Sequence, residues 1–158
     1  MYQSERQKYE MLGRVRDFGR TYGHLFPESS LARQAFTVVA NAVAEIEKRG
    51  EAAYPLLKDP AGPFRAKNAY MIVVTSSGIE KVNPAFPEYV GKNVLNVKDT
   101  QGKLIIREML EVAKNNNTGW VDYMWPKPGE KTASKKSTYI NKAKLGNDWV
   151  AVGCGVYL

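Results

Sequence analysis

The last third of the chain contains closely spaced β-forming segments, and these constrain the fold more than any other feature. Residues with β-branched and aromatic side chains are concentrated in three segments, 119–125, 136–144 and 148–157. Asn147 and Asp148 follow Gly146 and mark a turn between the last two segments. The pattern predicts three consecutive strands joined as hairpins.

Helical periodicity dominates the first third of the chain. Apolar residues recur at helical spacing over 31–46, and Gly50 then provides a C-terminal stop. A weaker apolar stripe over residues 2–25 predicts an earlier amphipathic helix, which glycines interrupt. We therefore divide the chain into an N-terminal helix, 1–30, which is a candidate dimer contact, and a domain, 31–158.

The middle of the chain adds a hairpin and another helix. Residues 69–75, AYMIVVT, predict a short strand, and a second strand around 79–82 completes a hairpin. Apolar spacing over 105–113 predicts a helix, and Asp99 is expected to form a turn or a cap before it. Long helices followed by β-β-α-β-β-β indicate an α+β fold in which the long helix covers one sheet face.

The inventory of reactive residues excludes several classes of function. Cys154 is the only cysteine and His24 the only histidine, so an internal disulfide, a zinc cluster and histidine-based catalysis cannot be assembled. We expect a protein that is not an enzyme and has no catalytic residue, metal or cofactor. The net charge of +7 favours an anionic partner, but the basic residues are scattered, so we expect no nucleic acid partner.

Tyrosines, a tryptophan and a lysine in the β-rich segments suit a site for a small anion. A buried carboxylate needs a cation and two or three hydrogen-bond donors, which Lys136 and the hydroxyls of Tyr70, Tyr123 and Tyr139 can supply. Tyr123 and Trp125 are two residues apart and share a strand face. Lys136 and Tyr139 are three apart, so both reach one site only if a bulge separates them or Lys136 enters from the preceding loop. Otherwise one of these two residues is not a ligand residue. A separate alternative for Tyr123 and Trp125 is that they are packing residues of the core or its rim.

Several motifs occur in the order and spacing of a known family: Gly91-Lys92-Asn93, Asp99 with Gly102-Lys103, Gly119-Trp120-Val121-Asp122-Tyr123 with Trp125-Pro126, Lys136 with Tyr139, and Gly153-x-Gly155-x-Tyr157. With these motifs, residues 40–158 closely resemble the single-Cache, PAS-like sensor domains of bacterial chemoreceptors and sensor kinases. The resemblance implies a long N-terminal helix packed on a sheet of five or six antiparallel strands. It also implies a small ligand on the opposite sheet face. We expect the glycine pair, Gly153 and Gly155, to allow close packing under the long helix.

The resemblance further implies the extracytoplasmic, periplasmic sensor domain of a transmembrane signal-transduction receptor, either a methyl-accepting chemotaxis protein or a sensor kinase. Flanking membrane helices outside the given sequence would anchor it, and residues 1–30 would lie near the membrane and pair in a homodimer. The implied ligand is a small carboxylate such as acetate, propionate or pyruvate. Many relatives carry His-Pro after the first hairpin, where this chain has Asn83-Pro84. The alternative is a stand-alone periplasmic Cache solute-binding protein. The candidate ligand-binding residues are Tyr70, Asn83, Tyr123, Trp125, Lys136 and Tyr139.

Overall fold

The computed structural model of the protein describes residues 31–59, 61–64 and 69–158. The helix predicted over residues 1–30, and the dimer contact expected there, lie outside the described residues. The elements follow one another in this order: α1 Leu31–Arg49, a 3-10 turn Gly50–Ala53, α2 Tyr54–Lys58, β1 Met71–Thr75, β2 Glu80–Val82, a 3-10 turn Pro87–Tyr89, α3 Ile105–Asn116, β3 Thr118–Pro126, β4 Ala133–Leu145 and β5 Asp148–Tyr157.

Helix α1 ends where the sequence predicts. Its apolar residues recur every three or four positions and are buried along one face. Gly50 follows with a φ of 62°, a left-handed conformation that glycine adopts without the steric cost of a Cβ atom. No helix of the described residues is both long and apolar enough to cross a membrane.

The five strands form one antiparallel sheet in the order β2-β1-β5-β4-β3. Strand β4 pairs regularly with β3 from Ala133 to Asn141 and with β5 from Lys136 to Leu145. The ladder between β1 and β2 is different, because its register shifts between Val73 and Val74. The α+β class and the antiparallel sheet predicted from the sequence are confirmed.

Each face of the sheet packs against its own helix. Helix α1 covers one face, where alternate β5 residues such as Val152 and Cys154 are buried. Helix α3 covers the other face, where Val121, Ile140 and Ala151 are buried. The sheet is therefore covered on both faces, by α1 on one and by α3 on the other.

The glycine pair of β5 faces α3 rather than α1, which corrects the expectation from the sequence. A Cβ atom on Gly153 would lie within 3.1 Å of side-chain atoms of Ile140, Thr138 and Ile72, all on the α3 side. One on Gly155 would lie closer than 3.0 Å to the side chains of Lys136 and Thr138. Strand alternation explains the error, because the odd-numbered residues of this part of β5 point away from α1.

Asp99 fixes the long loop between β2 and α3 to the sheet. One carboxylate oxygen accepts hydrogen bonds from the backbone N–H of Gln101 and Lys103, both at 2.9 Å. The other accepts one from the N–H of Met124 in β3, at 3.0 Å. The predicted turn at Asp99 is confirmed, whereas the N-cap position of α3 is Leu104, which makes no side-chain capping bond.

Candidate ligand-binding site

A small cavity lies between the sheet and α3, under the loop that follows β2. Its volume is about 30 Å³, counted as the space that the centre of a water molecule can occupy. This is enough for roughly two or three waters at ~10–15 Å³ each. The cavity is lined by Tyr70, Ile72, Glu80, Asn83, Tyr89, Val94, Val97, Ile105, Ile106, Met109, Tyr123, Trp125 and Lys136. Five of the six ligand-binding residues predicted from the sequence are in this set.

Lys136 supplies a buried cation in the middle of the sheet. Its side chain belongs to β4 and only 2% of the residue is exposed. The Nζ atom donates a hydrogen bond of 2.7 Å to the hydroxyl of Tyr70, and it lies 5.0 Å from the ring centre of Tyr157 and 5.7 Å from that of Tyr123. Gly155 leaves room on the neighbouring strand for the lysine stem to cross towards Tyr70.

Burial brings the titration of Lys136 close to neutral pH. Desolvation disfavours the charged ammonium and lowers the pKa of Lys136 from 10.5 to about 7, against the opposing fields of Cys154 and Glu80. Burial also raises the pKa of the Cys154 thiol to about 12, so this thiol is neutral at physiological pH. Glu80 is therefore the acidic group that affects Lys136 in this pH range.

Glu80 was missed by sequence reasoning, although it lines the same cavity and only 4% of the residue is exposed. Burial raises the pKa of its carboxyl to about 7, while a hydrogen bond with the Asn83 side chain and the charge of Lys136 act in the other direction. The register shift between β1 and β2 explains why Glu80 points here. Val73 pairs with Val82 on the α1 face, but Val74 pairs with Glu80 on the α3 face.

The tyrosine hydroxyls remain protonated donors at neutral pH. Burial is the main cause that raises the pKa of both Tyr70 and Tyr123 above the usual value of 10.0. The hydroxyl of Tyr123 is 2.8 Å from that of Thr138. The hydroxyl of Tyr70 accepts its bond from Lys136 and keeps its own proton to donate.

Aromatic rings close the outer side of the cavity. Trp125 has Phe86, Tyr89 and Tyr123 as neighbours, with ring centres 5.8, 6.0 and 6.4 Å away. Asn83 holds the start of the loop, because its side-chain oxygen accepts a hydrogen bond of 2.9 Å from the backbone N–H of Phe86. The cavity is thus an apolar box with one lysine, one carboxyl and a few neutral donors.

Tyr139 does not line the cavity, and the structure corrects its place among the predicted site residues. Strand β4 has no bulge between Lys136 and Tyr139, and Lys136 lies within the strand, so strict alternation puts the two side chains on opposite faces. Tyr139 is buried on the α1 side, with ring centres of Phe36 and Trp120 at 5.5 and 5.3 Å.

A wider opening of about 600 Å³ lies on the α1 side of the domain. Its walls include Leu31, Phe64 and Tyr157, and its two lysines, Lys58 and Lys127, are exposed. Because these ammonium groups are already hydrated, they gain little from pairing with an anion. The smaller cavity, with its desolvated lysine, is better suited to bind one.

Comparisons with known proteins agree on one kind of domain. The profile of the family described as Single Cache domain 2 matches residues 33–158. The methyl-accepting chemotaxis protein McpP of Pseudomonas putida is 32% identical over 77 residues, which are 49% of this chain and 14% of that protein. The chain thus spans about a seventh of the length of this curated relative.

Solved structures of chemotaxis sensor domains have the same fold. A periplasmic sensor domain of a chemotaxis protein is 26% identical, with a TM-score of 0.60, and the match covers 77% of this chain and 86% of that one. A methyl-accepting chemotaxis protein from Vibrio parahaemolyticus is 24% identical, with a TM-score of 0.62 and coverages of 79% and 86%. A Cache chemosensory domain described as recognising carboxylic acids is 24% identical, with a TM-score of 0.65 and coverages of 80% and 92%. The last two likenesses concern the fold alone.

Proposed function

The chain belongs to the single Cache domain 2 family, and from this membership we propose that it is the ligand-binding sensor domain of a transmembrane signal-transduction receptor. The similarity to a periplasmic sensor domain and to a methyl-accepting chemotaxis protein supports an extracytoplasmic location and a chemoreceptor. Membrane attachment would come from segments that flank the described domain, as in receptors of this type.

The proposed ligand is a small carboxylate, and the buried ammonium of Lys136 is the observation that carries this proposal. A lysine held in an apolar cavity has lost hydration without gaining an ion pair. A carboxylate at its Nζ atom supplies the missing charge, and the hydroxyl of Tyr70, within 2.7 Å of Nζ, is placed to donate to the same ligand.

The size of the cavity favours the shortest carboxylates. About 30 Å³ accommodates a group of only a few heavy atoms, so among acetate, propionate and pyruvate the smallest, acetate, fits best. The apolar side chains of α3, such as Met109, and the ring of Trp125 would surround a methyl group. One charge-assisted bond, two neutral bonds and a buried methyl are compatible with a micromolar Kd, which corresponds to about −8 kcal/mol.

Strand β4 offers a short route from this site to α1. Lys136 faces the cavity, and Tyr139, three residues further along the same strand, packs beside Phe36 of α1. A ligand that binds Lys136 and displaces β4 would therefore also displace Tyr139, on which α1 packs. The size of the resulting shift is limited by the difference in affinity of the ligand for the two arrangements.

Isothermal titration calorimetry tests the proposed ligand class. The protein is unfolded, dialysed and refolded to remove any copurified ligand, and is then titrated with acetate, propionate and pyruvate. Acetamide, which has the shape of acetate without its charge, is the matched control ligand. We expect saturable binding of at least one carboxylate and none of acetamide. If no C2–C4 carboxylate binds to the refolded domain, the proposal is wrong.

A further inference from the structure

Glu80 shares the ligand cavity with Lys136, and carboxylate binding as proposed above assigns it no role. Its side chain is almost wholly buried. No ion pair among the described residues includes it, whereas the half-buried Lys81 beside it is 3.9 Å from Glu51. A glutamate that is buried without a close cation has lost hydration and needs another way to be stabilised.

A bound carboxylate would further destabilise an ionised Glu80, because it places a second negative charge beside it. The cavity accommodates only two or three waters, so its occupant touches most of the lining, which includes Glu80. Two carboxylates at about 4 Å repel one another by roughly 4 kcal/mol at an effective dielectric constant of 20. Lys136 is a single cation and neutralises one of the two negative charges.

We propose that Glu80 is a ligand-contacting residue that enters the complex as an uncharged carboxylic acid and donates a hydrogen bond to the bound carboxylate. This inference rests on the proposed carboxylate function. The proton comes from solvent and remains on Glu80 while the ligand is bound. The complex then contains one ammonium, one ligand carboxylate and no second negative charge.

Burial of Glu80 favours this protonated form, while the groups around it act on its pKa in both directions. The polar and charged groups that act on it come from β4, β3, the segment before β1 and the loop after β2; they are Lys136, Tyr123, Tyr70, Asn83, Glu88 and Tyr89. The lining residues of α3 are apolar. Burial raises the pKa of Glu80 to about 7 without a ligand, and an added negative charge raises it further.

Asn83 orients the carboxyl group for this role. Its side-chain oxygen is used by the N–H of Phe86, at 2.9 Å, so its NH2 group is the part available to Glu80. An amide donor beside Glu80 favours the ionised carboxylate, so Asn83 opposes protonation and burial outweighs it. The carboxyl oxygen turned away from Asn83 is the one that would carry the proton.

Infrared difference spectroscopy tests the protonation of Glu80 directly. The spectrum of the refolded protein is subtracted from that of its complex with acetate labelled with 13C at the carboxyl carbon, which separates ligand bands from protein bands. We expect a new carbonyl band of a protonated carboxylic acid, shifted in D2O. The band is expected to be absent in Glu80→Gln and present in Glu111→Gln, which alters an exposed glutamate of α3.

Calorimetry on the wild-type protein provides a second readout that does not depend on the variants folding. Titrations in two buffers with different ionisation enthalpies give the number of protons taken up. Above neutral pH the ligand-free protein has lost a proton from both Lys136 and Glu80, whose pKa values are each about 7, so we expect uptake approaching about two protons, with an affinity that falls up to about 100-fold per pH unit. Uptake that levels off at about one proton is what Lys136 alone would give, and it overturns this inference. Acetate binding without an acid band, or a band that persists in Glu80→Gln, overturns this inference alone. A wild-type protein that binds no carboxylate overturns the proposed function, and this inference with it.

Discussion

Lys136 reduces the stability of the ligand-free protein because its ammonium is held out of water. Its surroundings provide a hydroxyl and three aromatic rings, but no carboxylate among the described residues lies within ion-pair distance. Such a residue destabilises the folded state unless something else compensates. Under the proposed function, a carboxylate ligand would offset this cost, because it would provide the counterion that the described part of the fold does not.

Replacement of Lys136 by methionine should raise stability and weaken carboxylate binding. The buried charge is removed, so we expect the free energy of unfolding at pH 7 to rise by about 1–3 kcal/mol and carboxylate affinity to fall about 10- to 100-fold. The folded-state pKa of Lys136 is lowered from 10.5 to about 7. Its cost is therefore full below pH 7 and disappears as the pH rises towards 10.5, and the gain in Lys136→Met should follow the same course.

Urea unfolding between pH 6 and pH 10 measures the stability change, and calorimetry measures binding. Lys135→Met is the matched control, because Lys135 is the exposed neighbour on β4. It should change neither quantity appreciably. If Lys136→Met is much less stable than the wild type and still binds the ligand, Lys136 is a structural residue and not the ligand cation.

Gly155 determines where the lysine stem lies. A methyl group at this position would come closer than 3.0 Å to the side chains of Lys136 and Thr138. We therefore expect Gly155→Ala to displace the ammonium and to weaken carboxylate binding at least about tenfold, as expected for the loss of a charge-assisted hydrogen bond. The variant is measured by calorimetry and by urea unfolding.

Gly153→Ala is the control for Gly155→Ala. It introduces a milder steric conflict on the same strand, no closer than 2.8 Å, with Ile140, Thr138 and Ile72 rather than with Lys136. Gly155→Ala should lose more affinity than Gly153→Ala when each loss is compared with the variant's own loss of stability. Equal losses of affinity would mean that the glycines affect the site only through general packing.

At the scale of elements, strand alternation was predictable from the sequence, and irregularities in pairing were not. Spacing identified α1, the three C-terminal strands and the shared face of Tyr123 and Trp125. The one uncertain pair, Lys136 and Tyr139, was resolved by the regular pairing of β4. The irregularity occurs instead between β1 and β2, where it turns Glu80 into the cavity. Nothing in the sequence indicates that shift, because it depends on which residues of two short strands pair.

The two tyrosines lie on opposite sides of the sheet, so their variants should differ in carboxylate affinity. Tyr70→Phe removes the hydroxyl that lies 2.7 Å from the Lys136 Nζ atom, so we expect about a tenfold loss of carboxylate affinity, the value of one hydrogen bond. Tyr139→Phe alters the α1 face, so the affinity should stay within about twofold of the wild type even if stability changes. A large loss of affinity in Tyr139→Phe with normal binding by Tyr70→Phe would contradict the face assignment.

Asp99 should stabilise the loop that covers the cavity. Partial burial acts to raise its pKa, but hydrogen bonds from the N–H groups of Met124, Lys103 and Gln101 hold the pKa of Asp99 below its usual value. Asp99→Ala leaves these donors without their acceptor and should cost about 1–3 kcal/mol in urea unfolding at pH 7. The difference from the wild type should shrink in acid, because protonation of Asp99 removes the same stabilisation.

Asp59→Ala serves as the comparison for Asp99→Ala. Asp59 is exposed, and its side chain accepts a local hydrogen bond of 2.9 Å from the N–H of Ala61. It should cost less than Asp99→Ala. A similar or smaller cost for Asp99→Ala would show that Asp99 does not hold the loop against β3.

At the scale of the whole domain, one sheet separates two environments. Helix α1 and its apolar cluster occupy one side, and the small polar cavity under α3 occupies the other. Strands β4 and β5 contribute side chains to both, so a displacement of either strand would alter the packing on both faces. Motifs spread over most of the chain predicted its membership of the Cache family, which the family profile confirms. The position of the cavity required the fold, because its lining comes from five separate segments.

The central claim is that a small carboxylate binds on the α3 side of the sheet, against Lys136. A crystal structure of the refolded domain grown with the tightest-binding carboxylate tests it most directly. The account predicts ligand density in the small cavity, with a carboxylate oxygen about 2.7–2.9 Å from the Lys136 Nζ atom and no contact with Tyr139. Density in the wider opening beside Phe64 and Lys127, with the small cavity empty, would contradict it.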